Sequence, residues 1–232
     1  MKHTDFTTHS LNRKEKVFGI CWLIFQTFFF PTILQALNML LPAPLPQTEL
    51  NLVFFCANFV AVAILFRHYL WTQIRLVPEI IEKILFVAIA GLMAYWVLNF
   101  LLMQILFALQ PNFTSVNDTT IQELVAEDYA IMFFGSVILV PITEETLFRG
   151  LVFRGLYDRS PMLARFLSVT LFSLIHILGY IGAYPFETLL LCFIQYIPAG
   201  ICLAEAYRLS GSLLSPILIH ALVNLLGMLA LR

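Results

Sequence analysis

Three separated fragments place ionisable side chains inside stretches that are otherwise apolar enough to span a membrane. They begin at Glu144, Phe172 and His220 and have the sequences EETLFR, FSLIH and HALVN. Carboxylates and imidazoles are costly in hydrocarbon, so a chain that carries several of them usually directs them at one another in a protected interior. These fragments are therefore the first candidates for chemistry.

The first fragment gives its two glutamates different tasks. Neighbouring residues on an α-helix point about 100° apart, so Glu144 and Glu145 cannot both face one point. Glu145 and Arg149 stand at positions i and i+4 and can form an ion pair on one helix face. That pairing predicts a structural role for Glu145 and Arg149 and leaves Glu144 free for another.

The other two fragments repeat the same helical spacing. Phe172 and His176 share one face of a helix, and so do His220 and Asn224. Three helices can therefore each offer one polar edge to a common cavity.

Glu144, His176, His220 and Asn224 together suit the activation of water. A carboxylate in an apolar pocket can serve as a general base, and one imidazole can orient the water. A second imidazole and the Asn amide can donate hydrogen bonds to a developing oxyanion. The same Glu and two His can instead hold zinc, although the HExxH pattern of zincins and site-2 proteases is absent.

The composition indicates a chain built for lipid. Of the 232 residues, 60% are hydrophobic and only 12% are charged, about half the charged share of a soluble domain. The formal net charge is −1 and no basic block is present, so no nucleic-acid partner is expected. The four cysteines lie in apolar runs without a CxxC spacing, which indicates packing rather than a catalytic thiol.

The elements that position these residues are membrane-spanning helices, because lipid satisfies no backbone polar group. We predict an all-α, polytopic transmembrane bundle of about seven spans. The first apolar run is too long for the core of a cleavable signal peptide, so we expect it to remain as a helix. The apolar runs are 17–41, 51–71, 84–108, 129–148, 164–183, 187–207 and 213–231.

The basic residues alternate along the chain as the positive-inside rule requires. If each run crosses once, loops 42–50, 109–128 and 184–186 lack Lys and Arg, and Arg232 is the exception on their side. This pattern predicts a cytoplasmic N-terminus. Glu144 would lie about 10 Å deep from the cytoplasmic side, so we expect a cavity that faces the cytoplasm. The residues on the predicted cytoplasmic side are Lys2, Arg13, Lys14, Lys16, Arg67, Arg75, Lys83, Arg149, Arg154, Arg159, Arg165 and Arg208.

The order EExxxR, FxxxH, HxxxN on successive apolar helices resembles the CPBP family, also called Abi or type II CAAX prenyl endopeptidases, which are intramembrane proteases. Gly150 and the segment 211–216, GSLLSP, are also similar to the family. The resemblance covers roughly residues 125–230. It implies a catalytic helical core over 125–232, preceded by N-terminal transmembrane helices and an outer loop over 1–124.

The resemblance implies an intramembrane endopeptidase of a bacterial plasma membrane. Its partners would be membrane lipid and a peptide or protein substrate, prenylated or not. It does not choose between a metal-free mechanism and zinc held by Glu144, His176 and His220. The implied site residues are Glu144 and His176 to activate water, His220 and Asn224 to stabilise the oxyanion, Glu145 and Arg149 as support, and Phe172 as packing beside the site.

Two other classes of function remain open at this point. One is a non-catalytic protein that keeps the fold, for bacteriocin self-immunity or membrane binding. The other is a proton-coupled transporter in which Glu144 and the histidines relay protons. The sequence shows neither inverted repeats nor paired broken helices, which disfavours the transporter. The substrate and the oligomeric state stay open.

Overall fold

The computed structural model describes residues 10–232, and in this part of the chain every regular element is a helix. The predicted all-α bundle is confirmed. Lys2, the first residue of the predicted N-terminal basic group, lies outside the described residues. The helices are α1 (Arg13–Phe28), α2 (Phe30–Met39), α3 (Gln47–Leu65), α4 (Arg67–Leu109), α5 (Val116–Glu127), α6 (Tyr129–Tyr157), α7 (Pro161–Leu178), α8 (Phe186–Gln195), α9 (Ile197–Ser210) and α10 (Leu214–Ala230).

Each of the seven predicted apolar runs contains a helix or a broken helix. Within residues 10–232, five helical segments are long and apolar enough to cross a membrane: α3, α4, α6, α7 and the α8–α9 pair, Phe186–Ser210. The α1–α2 pair, bent by 49°, makes a sixth. Helix α10 has 17 residues and is about 26 Å long, slightly shorter than the hydrocarbon core.

Helix α4 is much longer than the predicted run 84–108. It has 43 residues and kinks at Ile80, where φ is −134° and ψ is 21°. Pro78 stands two residues earlier, and a proline inside a helix removes a backbone hydrogen bond and bends it. The part before the kink carries Arg67 and Arg75, and the helix as a whole packs against α9 and α10.

Polar side chains set where several helices begin. Asn12 accepts from the backbone N–H of Glu15, and the Glu15 carboxylate accepts from the N–H of Asn12. Ser115, Asp128 and Ser160 each accept a backbone N–H at the start of the next helix. Such caps satisfy backbone donors that the first helical turn leaves unpaired.

The bundle has two ends of different character. The basic end is formed by the N-termini of α1, α4, α7 and α10 and the C-termini of α6 and α9. The acidic end is the opposite one and contains α5 and the N-termini of α3, α6 and α8. Its acidic residues are Glu49, Asp118, Glu123, Glu127, Asp128 and Glu187.

Hydrogen bonds between helices close the basic end. The Glu15 carboxylate accepts from the backbone N–H of Tyr69 at 2.8 Å. Gln73 Oε1 accepts from the N–H of Leu213 at 2.8 Å, and the hydroxyls of Tyr69 and Tyr207 lie 2.7 Å apart. These bonds join α1, α4, α9 and α10 around a buried apolar cluster.

Helix α4 also packs along α9 and α10 over much of its length. The division of the chain into residues 1–124 and 125–232 stays a prediction.

Candidate active site

Helix α6 departs from α-helical geometry on both sides of the glutamate pair. Gly135–Leu139 and Thr146–Phe153 are π-helical, and Val140–Glu145 between them is α-helical. A wider π turn changes which face later residues occupy, and such turns are frequent at functional sites. A Cβ on Gly150 would lie 2.8 Å from the Tyr69 ring, so glycine lets this turn pack directly against α4.

Glu145 and Arg149 form an ion pair with no exposed surface. Arg149 Nη1 donates to Glu145 Oε1 at 3.0 Å, and both side chains are fully buried. Arg149 Nη2 donates to the carbonyl of Gly200 at 3.3 Å, and the guanidinium lies 4.3 Å from the centre of the Phe172 ring. The pair is thus inside the bundle and links α6, α7 and α9, rather than at a helix end near the membrane surface.

The same Glu145 oxygen also holds His220. His220 Nδ1 lies 2.8 Å from Glu145 Oε1, and it is the donor because a carboxylate oxygen accepts. The sequence spacing pairs Glu145 with Arg149 alone and does not indicate this contact, which joins α6 to α10 across 75 residues. In the neutral tautomer Nε2 of His220 is an acceptor, so the predicted oxyanion role requires a second proton on Nε2.

His176 is fixed by one hydrogen bond and two aromatic rings. Its Nδ1–H donates to the backbone carbonyl of Phe172 at 2.7 Å. Its ring lies 4.0 Å from the Tyr196 ring at an interplanar angle of 23° and 4.8 Å from the Phe172 ring. Neutral His176 therefore offers Nε2 as a hydrogen-bond acceptor.

Asn224 and Glu144 keep hydrogen-bonding capacity for a ligand. Asn224 Nδ2 donates to the carbonyl of Ser136 at 2.7 Å, in the first π-helical segment of α6. Its second N–H and its carbonyl oxygen are not used by that contact. Glu144 Oε2 is buried and has no hydrogen-bond partner among the described residues.

A single cavity of about 890 Å³ brings the predicted catalytic residues together. Glu144, His176, His220 and Asn224 all line it. Phe172 also lines it, between the two histidines. Glu145 and Arg149 lie behind His220 and Phe172, in contact with both. The structure thus assembles the three fragments, while the catalytic roles stay a prediction.

The cavity runs from the middle of the bundle toward the acidic end. From Glu144 and His220 its lining runs to Asn117 and Asp118 of α5 and to Leu231, which are at the acidic end. Within residues 10–232, the lining contains no residue of the basic end. Arg149, placed on the cytoplasmic side by the sequence, is wholly buried. A cavity that faces the cytoplasm stays a prediction.

The candidate zinc ligands do not form a metal-binding group. Across residues 10–232, no cluster of three or more His, Cys, Asp or Glu side chains is arranged to hold a metal ion. His220 Nδ1 is already bonded to Glu145, and Glu144 Oε2 has no hydrogen-bond partner among the described residues. We therefore derive no step through zinc.

The residues predicted from sequence omit Tyr196, which positions His176 by stacking. The Tyr196 hydroxyl accepts from Asn117 Nδ2 at 2.8 Å and donates to Asp118 at 3.3 Å. Tyr180 donates to Asn117 Oδ1 at 3.3 Å, and burial raises the pKa of Tyr180 above its ordinary value. No spacing rule marks Tyr196 in an apolar, aromatic-rich run. Its one signal is its place before Ile197 and Pro198, where α8 ends and α9 begins.

The comparison with protein families agrees with the order of the three fragments. Residues 126–226 match the family described as type II CAAX prenyl endopeptidase Rce1-like. No curated protein and no solved structure gave a match. The matched region contains every residue from Glu144 to Asn224, and therefore all the residues that the resemblance singled out. Over residues 126–226, this chain is therefore similar to the type II CAAX prenyl endopeptidase Rce1-like family, as the three fragments predicted.

Proposed function

We propose that the protein is an integral membrane endopeptidase that hydrolyses peptide bonds with a water activated by Glu144 and His176. The observation that supports this most directly is that the Glu144 side chain lines a cavity shared with two fixed imidazoles, while its Oε2 has no hydrogen-bond partner among the described residues. A carboxylate in such a largely apolar cavity can serve as a general base for a water bound there.

Each residue has one role in the proposed reaction. Glu144 accepts a proton from the water as its oxygen attacks the carbonyl carbon of the substrate, and Nε2 of His176 orients that water. The resulting oxyanion accepts from the free N–H of Asn224 and from Nε2–H of doubly protonated His220. Glu144 then returns its proton to the leaving amine as the C–N bond breaks.

Glu145 and Arg149 support this reaction from behind the cavity. They hold Nδ1 of His220 and the face of Phe172, so they fix the two rings without touching the substrate.

The distribution of Lys and Arg supports a cytoplasmic N-terminus.

The test compares purified wild type with Glu144→Gln on a panel of quenched fluorescent peptides, both prenylated CAAX peptides and unmodified membrane peptides. Glu144→Gln keeps the size of the side chain and removes the base, so we expect kcat to fall by about 10³-fold. The matched control is Glu187→Gln, at an exposed carboxylate outside the cavity, which should cleave like wild type. Equal cleavage by Glu144→Gln and wild type would contradict the proposal.

A chelator separates the metal-free reaction from a zinc reaction. Because the donors do not form a ligand group within residues 10–232, we expect the cleavage rate to be unchanged after treatment with EDTA or phenanthroline. Loss of activity that added zinc restores would overturn the metal-free mechanism while leaving the peptidase assignment in place.

A further inference from the structure

The cavity has a floor near the middle of the bundle and a mouth at the acidic end. Its deepest lining residues include Glu144, Leu203 and Ile219. The lining then continues along α10 from His220 to Leu231, a rise of about 16 Å at 1.5 Å per residue. A substrate in contact with Glu144 therefore has a path toward the acidic end.

The basic end offers no comparable path. Phe148, Phe153 and Leu213 are almost fully buried there, and Tyr69 and Tyr207 join α4 to α9 by their hydroxyls. Large side chains packed at this density leave no passage for a polypeptide.

The polar part of the mouth includes amide side chains and the Asp118 carboxylate, set among apolar residues. An amide both donates and accepts, so it can pair with the N–H and C=O groups of an extended peptide. Gln195 Oε1 is buried and has no partner among the described residues, although its Nε2 donates to Asp118. The amide residues of the mouth are Gln47, Asn51, Asn99, Asn117, Gln122 and Gln195.

Building on the proposed function, we infer that the scissile segment enters through the acidic end, as an extended polypeptide whose backbone these amides bind. With the basic loops in the cytoplasm, that end is on the non-cytoplasmic side of the membrane. The substrate class is then a membrane-associated polypeptide with its cleavage site on that side, and not a cytoplasmic CAAX tail.

The first experiment determines which side the mouth faces, and it needs no activity. The four native cysteines are replaced by alanine, and one cysteine is introduced by Gln122→Cys at the mouth or by Arg159→Cys at the basic end. Both positions are exposed. In intact cells, we expect an impermeant maleimide to label the Gln122→Cys protein at least about tenfold faster than the Arg159→Cys protein, because only the mouth would face the outside. The reverse order would overturn the inference.

The second experiment determines from which side the substrate is cut. Wild type is reconstituted in one orientation in liposomes, and a quenched peptide attached to a lipid anchor is placed on one face or the other. Because the mouth opens a path to Glu144, we expect cleavage at least about tenfold faster on the face where Gln122→Cys is labelled. Faster cleavage on the Arg159 face would overturn the inference but leave the peptidase function intact. Absence of cleavage on both faces would instead contradict the proposed function, and with it this inference.

Discussion

The two ends of the bundle use their polar groups in opposite ways. At the basic end, polar side chains bond to other helices. The Glu15 carboxylate accepts from the N–H of Tyr69, Gln73 Oε1 accepts from the N–H of Leu213, and the hydroxyls of Tyr69 and Tyr207 form a hydrogen bond. At the acidic end, polar side chains line a cavity instead. Each end has one buried amide atom without a partner within residues 10–232, Gln195 Oε1 here and Gln73 Nε2 at the basic end. The difference indicates that the basic end stabilises the fold, while the acidic end keeps hydrogen-bonding capacity for a ligand.

Glu145 and Arg149 lie between the two ends and share features of each. Both side chains are fully buried and paired with each other, as polar groups are at the basic end. Glu145 also holds His220, which lines the cavity. Substitutions should therefore affect stability alone near the basic end, activity alone near the mouth, and both between them.

The largest effect on stability is expected at Arg149, where the two regions meet. Arg149→Ala leaves Glu145 as a buried carboxylate without its cation, so we expect the free energy of unfolding to fall by about 3–5 kcal/mol. Activity should fall with it, because Glu145 no longer holds His220 in one orientation. Unfolding in detergent and peptide cleavage measure the two effects. Arg159→Ala, at an exposed arginine of the basic end, is the control, and equal stability of the two variants would contradict the expectation.

Much of this arrangement could be predicted from the sequence. The apolar runs predicted the helices because lipid imposes a length on each span. The i,i+4 spacing predicted which residues share a face of a regular helix. The contact of Glu145 with His220 could not be predicted, because it depends on how α6 and α10 pack and on the π turns of α6.

The burial of Arg149, and with it the depth of Glu144 in the bundle, could not be predicted either. Distance along the sequence from Arg149 gives depth only if Arg149 is at the membrane surface. The burial of its guanidinium against Phe172 and Gly200 is a property of the packed bundle.

Tyr196 tests whether side chains of the mouth act on the reaction. Tyr196→Leu removes the ring stacked on His176, so we expect kcat to fall about tenfold, the upper range for one aromatic pair. Tyr196→Phe keeps the ring and loses the hydrogen bonds of the hydroxyl, including those with Asn117 and Asp118, so it should recover most of kcat. The measurement is kcat and KM across a pH series. A purely structural role would lower the free energy of unfolding in Tyr196→Leu and leave its kcat unchanged.

Tyr69 provides the opposite test at the basic end. Tyr69→Phe removes the hydroxyl that pairs with Tyr207, so we expect a loss of about 1 kcal/mol in the free energy of unfolding. Both kcat and KM should stay as in wild type, since Tyr69 is not in the lining of the cavity. Tyr184→Phe, at an exposed tyrosine, is the matched control. A change in KM for Tyr69→Phe would show that the two ends are not separate.

The smallest effect is expected at Asn99, on the wall of the mouth. Asn99→Leu keeps the approximate size of the side chain and removes one amide from the proposed peptide-binding set, so we expect KM to rise about threefold with kcat unchanged. The matched control is Asn112→Leu, at an exposed asparagine outside the cavity, which should leave both constants unchanged. A lower kcat with an unchanged KM would place Asn99 in the chemistry instead of in binding. A rise in KM alone would show that the acidic end binds substrate before the buried site acts on it.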